Sequence, residues 1–452
     1  MTRRLGVATA LAVLLLALFP TTALAHGIGG RLDLPVPLSY FLVAAGLVLV
    51  VSFVALAVMW PAPRLQDGPR RRVIAGRVRG VWVLSFLGLI GLLLVVGQLF
   101  PPLLGLERDS SRPTIAPVLV WVDFWLVIPF VGALVGNWYR HINPWRTIAR
   151  GLRLGRSERL WLFDRVGLWP AAILFVAFAW MELISGSSGS PVALGVAALA
   201  YTMALTGYVA YAGVETGLGT ADPFTPYNRM ISSISPLGRG PGGELVWRGW
   251  LRALPALPEW RGFPVFVVAA IGTVTYDGAS NTQLVKDVAG SMSESKWGKT
   301  LLLVGFVAVI GLAYWLASAS AARLVGGSWD AGRVASRFAH SLVPIALAYA
   351  LAHYLTLVLF EGQQLIAAIS DPFGLGWDLF GTAGWKVNFF IATPEPVWYA
   401  QVAIIVVGHL MGVVLAHDRA LTDFGREAVR SQYAMLLLMV SLTILGLSVL
   451  AA

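Results

Sequence analysis

Ten apolar runs, each near the length of a bilayer, alternate with loops along this chain, and that alternation restricts the fold more than any motif does. The runs fall at roughly 38–59, 81–103, 114–136, 166–184, 191–213, 263–277, 300–321, 338–360, 397–416 and 430–451. A helix needs about 20 predominantly apolar residues to cross the hydrocarbon core, and all but the short sixth run come near that length. The sequence therefore predicts an all-α polytopic bundle of about ten spans. Charged residues make up 12% of the chain, against about 25% in soluble domains. Residues 26–452 read as one membrane-embedded domain with no soluble domain attached. Cysteine is absent, which excludes disulfides, thiolate catalysis and Cys-ligated zinc or iron–sulfur sites.

Residues 1–25 read as a signal peptide. Arg3 and Arg4 form a charged start, Leu5 to Leu18 an apolar middle, and Ala23-Leu24-Ala25 a small-residue cleavage site. Cleavage there makes His26 the mature N-terminus, whose α-amine and imidazole form a chelating pair for copper or another transition metal.

The net charge of +10 has a direction. With the mature N-terminus outside, 24 of the Lys and Arg residues fall in inner loops and seven in outer ones, counting from residue 26. That asymmetry satisfies the positive-inside rule and predicts a multi-pass protein of the inner (cytoplasmic) membrane. The basicity faces anionic lipid, and no nucleic-acid partner is expected. Inner acids such as Glu158, Glu215, Asp222, Glu259, Asp418 and Asp423 are interleaved with arginines and read as solvated loop pairs. The inner loop from Tyr139 to Arg165 carries Asn143-Pro144-Trp145-Arg146 and regularly spaced arginines, the pattern of an amphipathic helix on the leaflet. The outer loop from Glu361 to Pro396, with Trp377 and Trp385, reads as a lid dipping back towards the bundle.

Chemistry has to come from position, because no phosphate loop, dinucleotide fingerprint, HExxH or GxSxG is present. The stretch from Arg337 to Thr382 organises the reading. It holds His340 and His353 in an apolar helix and ends in Glu361, Gln363 and Gln364. Ionisable groups inside spans are functional candidates by default. On a continuous helix His353 and Glu361 lie two turns apart, about 80° from each other on the wheel. Asp123, Glu182, Asp277, His353 and Glu361 fall near one depth on the outer half, with Gln401 entering the ninth span. Histidine with carboxylates suits zinc, copper or manganese, and such a metal lowers the pKa of bound water to about 7. The expected catalytic set is Asp277, His353 and Glu361, and the expected metal ligands are His26, Asp123, Glu182 and His353. The plain structural reading of the same acids is helix capping and interface hydration.

Towards the inner side lie His340, His409 and His417. The eight-residue spacing of the last two invites haem or proton-relay readings. His417, in AHDRAL, is better explained by a helix C-terminus, where a histidine is favoured electrostatically. His141 has no partner suggesting catalysis.

Several runs carry a resemblance: AHGIGGRLDLPVP, SFVALAVMWP, INPWR, YDGAS, HSLVPIALAYALAHY, SDPFGLGWDLFGTA and AHDRAL. Together they resemble the fenitrothion hydrolase-like family of polytopic bacterial membrane proteins, over nearly the whole mature chain. The resemblance implies cleavage of a lipophilic organophosphorus triester at its P–O–aryl bond. It brings no catalytic residues with it. A non-enzymatic transporter or metal-handling protein is the alternative, with a haem-bearing redox subunit using His353 and His409 behind it. A lipophilic small molecule and a second membrane subunit are the partners these readings carry.

Overall fold

The computed structural model describes residues 36–66, 68, 72–77, 80–109, 111–155 and 157–451. The signal peptide and His26 lie outside the described residues. Nine helices among them are long and apolar enough to cross a membrane. In chain order the bundle is α1 (Leu38–Met59), α2 (Trp82–Leu103), α3 (Ile115–Val135), α4 (Trp169–Leu183), α5 (Pro191–Ala212), α6 (Phe263–Ser280), α7 (Lys296–Val325), α8 (Ala331–His353), α9 (Pro394–Phe424) and α10 (Tyr433–Ala451). At 15 residues α4 falls short of the spanning criterion. It still joins opposite ends of the bundle. The Leu168 N–H donates to Arg261 O beside its start, and Ser185 just past its end accepts from Lys296 Nζ at 2.6 Å.

Loop-to-loop contacts sort cleanly into two faces, as an alternating chain of ten helices requires. On the arginine-rich face, β1 (Arg72–Arg77) and β2 (Leu237–Arg239) pair antiparallel with β3 (Glu244–Trp247), in the order β1-β3-β2. Val246 lies opposite both Val73 and Gly238. The sheet ties the α1–α2 connection to the α5–α6 connection. On the same face Arg337 bonds Asp423 at 2.5 and 2.9 Å and Glu259 at 2.6 Å. On the opposite face, here the far face, Gln98 Nε2 donates to Pro372 O at 2.9 Å and Asp109 N to Gly374 O at 2.8 Å.

Two of the acids expected to be solvated are fully buried. Asp418 on α9 accepts from Trp60 Nε1, the Arg64 and Leu65 backbone N–H groups and Gln66 Nε2 at 2.6–3.1 Å. Asp222 accepts from Tyr201, Thr225, Asn143 and the Phe224 N–H at 2.6–3.1 Å. A buried carboxylate is tolerated only when hydrogen bonds replace its water. Each of these two pins a loop of the basic face to the bundle. Burial nevertheless pushes the Asp222 carboxyl above the ordinary range, against the Thr225, Tyr201, Phe224 and Asn143 donors that pull it down.

A close crossing, α8 on α9, follows from Gly408 and Gly412, a Gly-xxx-Gly pair. A Cβ on Gly408 would sit 2.3 Å from Ala348 Cβ, and one on Gly412 2.8 Å from Ser341 O. Small residues at that spacing let two membrane helices approach until their backbones touch.

Two further expectations change. The run 338–360 is not one helix: α8 stops at His353, and Leu355–Phe360, Glu361–Gln363 and Gln364–Ser370 follow as separate short helical pieces. The stretch from Tyr139 to Arg165 is likewise split into Tyr139–Ile142, Pro144–Gly151 and Trp161–Arg165, because Asn143 turns the chain and caps the second piece. The far-face loop does pack back, on the 98–115 segment: Asp371 accepts from the Leu375 and Gly376 N–H groups and from Arg112. It leaves Phe380, Phe389 and Phe390 exposed.

Candidate functional site

Where α8 ends, three polar side chains meet. His353 Nε2 lies 2.9 Å from Asp277 Oδ2, and the Tyr354 hydroxyl donates to the same oxygen at 2.7 Å. Residues i and i+1 of a helix point about 100° apart and do not normally reach one partner. Here the helix closes at His353, and Tyr354 takes φ −93° and ψ 11°. That turn swings its ring back beside the imidazole, 4.7 Å away and edge-on. Asp277 is presented by the last turns of α6, a helix buried over most of its length. Gln401 of α9 fixes the last turn of α8 by donating to Ala352 O at 2.8 Å.

An ionised Asp277, acceptor to both neighbours, would set the His353 proton on Nε2 and leave the lone pair on Nδ1. The Nδ1–Cε1 edge faces Gly278, where a Cβ would come within 3.3 Å of Nδ1. Beside it His353 lines a small half-open cleft of about 20 Å³, room for about one water molecule, with Val274, Thr275, Tyr349, Ile405, Gly446 and Val449. The Tyr349 hydroxyl is engaged with Leu442 O. The Thr275 hydroxyl is likewise bonded, to Ile271 O, and His353 supplies the imidazole among these lining residues.

Of the other expected residues, Glu182 lies within electrostatic reach of Asp277. Glu361 is not two helical turns above His353, since the helix is broken between them. It accepts from Gln364 Nε2, at the start of the next short helical piece. Asp123 lies in a nine-residue π-helical stretch, Leu119–Val127, inside α3. Its Oδ2 is buried with no hydrogen-bond partner among the described residues. That stretch supplies Trp125, whose ring packs 6.4 Å from Tyr354. π-helical turns in α-helices occur frequently at functional sites.

Among the described residues no three His, Asp or Glu side chains are placed to hold one metal ion. The pair that does meet, His353 and Asp277, spends its facing atoms on each other. The four-ligand set of His26, Asp123, Glu182 and His353 is thus not assembled by the described residues, and His26 lies outside them. On the basic side the histidines are engaged separately. His340 and His409 each bond a backbone carbonyl of their own helix through Nδ1, Arg337 O at 2.9 Å and Ile405 O at 2.8 Å. His417 bonds Trp60 O at 3.2 Å and Gln432 at 3.3 Å. It does not cap a helix C-terminus, because α9 continues to Phe424.

Sequence reasoning missed Tyr354. Its one signal is the His-Tyr dipeptide itself, which a helix wheel treats as two different faces.

No family profile, curated protein or solved structure matches this chain. What the fold and its apolar helices define is a polytopic, all-α, multi-pass membrane protein.

Proposed function

We propose that the protein is a membrane-embedded hydrolase of lipophilic esters, with His353 as general base and Asp277 as the group that orients it. The organophosphorus triesters suggested by the family resemblance are its first candidate substrates. The observation that carries this reading is the His353–Asp277 pair, an imidazole held by a carboxylate beside a mostly apolar cleft. Catalytic histidines are held in this way by a carboxylate on the other nitrogen. In the proposed step Nδ1 takes a proton from water as the water oxygen bonds to phosphorus. The P–O–aryl bond breaks, the aryl oxygen leaves with the electron pair, and the proton passes from His353 to that oxygen or to solvent. Asp277 stabilises the imidazolium while it exists, and Tyr354 keeps the carboxylate in register.

Inner-membrane placement with the mature N-terminus outside belongs to the same reading, supported by the arginine asymmetry between the faces. The His353 cluster then lies at the outer end of the bundle. Turnover of an aryl phosphotriester by purified protein, with His353→Ala beside it, tests the proposal. Absence of turnover in the wild type rejects it.

One observation favours a non-enzymatic, cation-handling protein instead: the Glu182 carboxyl on α4 lies within electrostatic reach of Asp277, which itself pairs with His353. Metal content and liposome uptake separate the two. A divalent ion retained by the full chain and lost in both His26→Ala and Glu182→Gln supports the second reading.

A further inference from the structure

The basic face carries a charge cluster that neither the hydrolase reading nor the bundle's packing uses. Arg140 and His141 come from the short helix Tyr139–Ile142, and Arg146 and Arg150 from the next, Pro144–Gly151. Arg239 ends β2. The strand is drawn against this segment by close contacts. The Ser235 hydroxyl donates to Leu134 O at 2.6 Å, and Gly136, at φ +91°, leaves only 2.9 Å between a built Cβ and Leu237 O.

One acid serves the group. Glu215 bonds Arg146 and lies 3.5 Å from Arg150. The side chains of Arg140 and Arg239 have no ion pair or hydrogen bond among the described residues, and both are exposed. Two further polar atoms of these residues are buried without a hydrogen-bond partner among the described residues: Arg146 Nε, on a side chain more than nine-tenths buried, and His141 Nε2.

We propose that this cluster binds a phosphate-bearing anion, the chemistry shared by an anionic lipid headgroup and a free phosphate. Planar guanidinium groups match phosphate oxygens, and several brought together from different elements define a site rather than a diffuse field. The face is the one that the arginine count places against the anionic leaflet. The field at His141 supports the same conclusion: burial, with Arg239, Arg140, Arg146 and Arg150 all acting on the imidazole, holds it down to about 4. An anion among those arginines would relieve that field.

Native mass spectrometry of the full chain in detergent, with cardiolipin against phosphatidylcholine, tests the lipid arm. The expected result is preferential retention of cardiolipin, weakened on the order of thirtyfold in R140Q/R239Q, as loss of two surface arginines implies. R323Q/R426Q removes equal charge from two exposed arginines elsewhere on this face and should leave retention unchanged. In the second arm inorganic phosphate is titrated into lipid-free protein while the His141 ring is followed by NMR. An upward move of its titration shows that free phosphate suffices. Equal loss in the two double variants, or retention of neither cardiolipin nor phosphate by the wild type, overturns the proposal.

Discussion

His353 and Tyr354, consecutive in the chain, converge on one oxygen, the Oδ2 of Asp277, at 2.9 and 2.7 Å. Both reach it because the helix stops between them. Removing the base should therefore cost far more than removing either support. His353→Ala is expected to lower aryl phosphotriester turnover by about 10²–10⁴-fold, the range for a lost general base. Tyr354→Phe, which deletes one hydrogen bond worth about 1 kcal/mol, should cost roughly tenfold or less. Glu361→Gln should stay near wild type, since Glu361 pairs with Gln364 and not with His353. Steady-state kinetics on the three purified variants decide it; a Glu361→Gln as inactive as His353→Ala would contradict this geometry.

Topology follows from the two faces. Reporter fusions at Gly155 and Arg239 should both read as cytoplasmic, and one at Ser187 as periplasmic. The β2–β3 strands are paired to β1 of the α1–α2 connection, so these loops share a side whatever the orientation. A split result between Gly155 and Arg239 would break the alternation.

Asp418→Asn should destabilise the bundle by about 2–3 kcal/mol, measured by thermal unfolding in detergent. The carboxylate accepts four hydrogen bonds in a buried setting, and the amide replaces one acceptor oxygen with a donor that faces donors. Asp164→Asn, at an exposed position, should fall within about 0.5 kcal/mol of wild type.

Acid should weaken the fold through His141. Its folded-state pKa of about 4 lies below the ordinary 6.5, because of burial and the surrounding arginines. Between those values the unfolded chain carries the proton and the folded chain does not. Stability is therefore full above pH 6.5 and declines as pH falls towards 4. Since the ring is partly open to solvent, the screened contribution is about 1–2 kcal/mol. His141→Gln should remove that part of the slope in a pH series of unfolding midpoints.

The N-terminus has its own test. Intact mass should show a chain beginning at His26, and metal analysis of that protein beside His26→Ala reports whether the amine and imidazole hold an ion. Equal metal content in the two removes His26 from any ligand set.

Hydropathy and spacing carried the bundle because span length is a direct consequence of bilayer thickness. They carried His353 and Asp277 as members of one site because an ionisable group inside a span needs a partner. The break at Tyr354 was illegible: nothing in HYLTLVLF halts an apolar run, and only the packing of the neighbouring helices decides it. The π-helical stretch of α3 was hidden for a related reason, as widening a turn leaves the apolar composition unchanged. Asp222 and Asp418 looked like loop acids because sequence shows neighbouring arginines but not the tyrosine, tryptophan and backbone donors that fold over them.

The three-stranded sheet has a consequence for synthesis. Arg72 pairs with Trp247, 175 positions later. At a ribosomal pace of about 5–20 residues per second, the first strand waits roughly 10–35 seconds for its partner to be made. During that interval the first five helices enter the bilayer with the loop between α1 and α2 unclasped, and the register of the amino-terminal half is settled only when the later loop arrives.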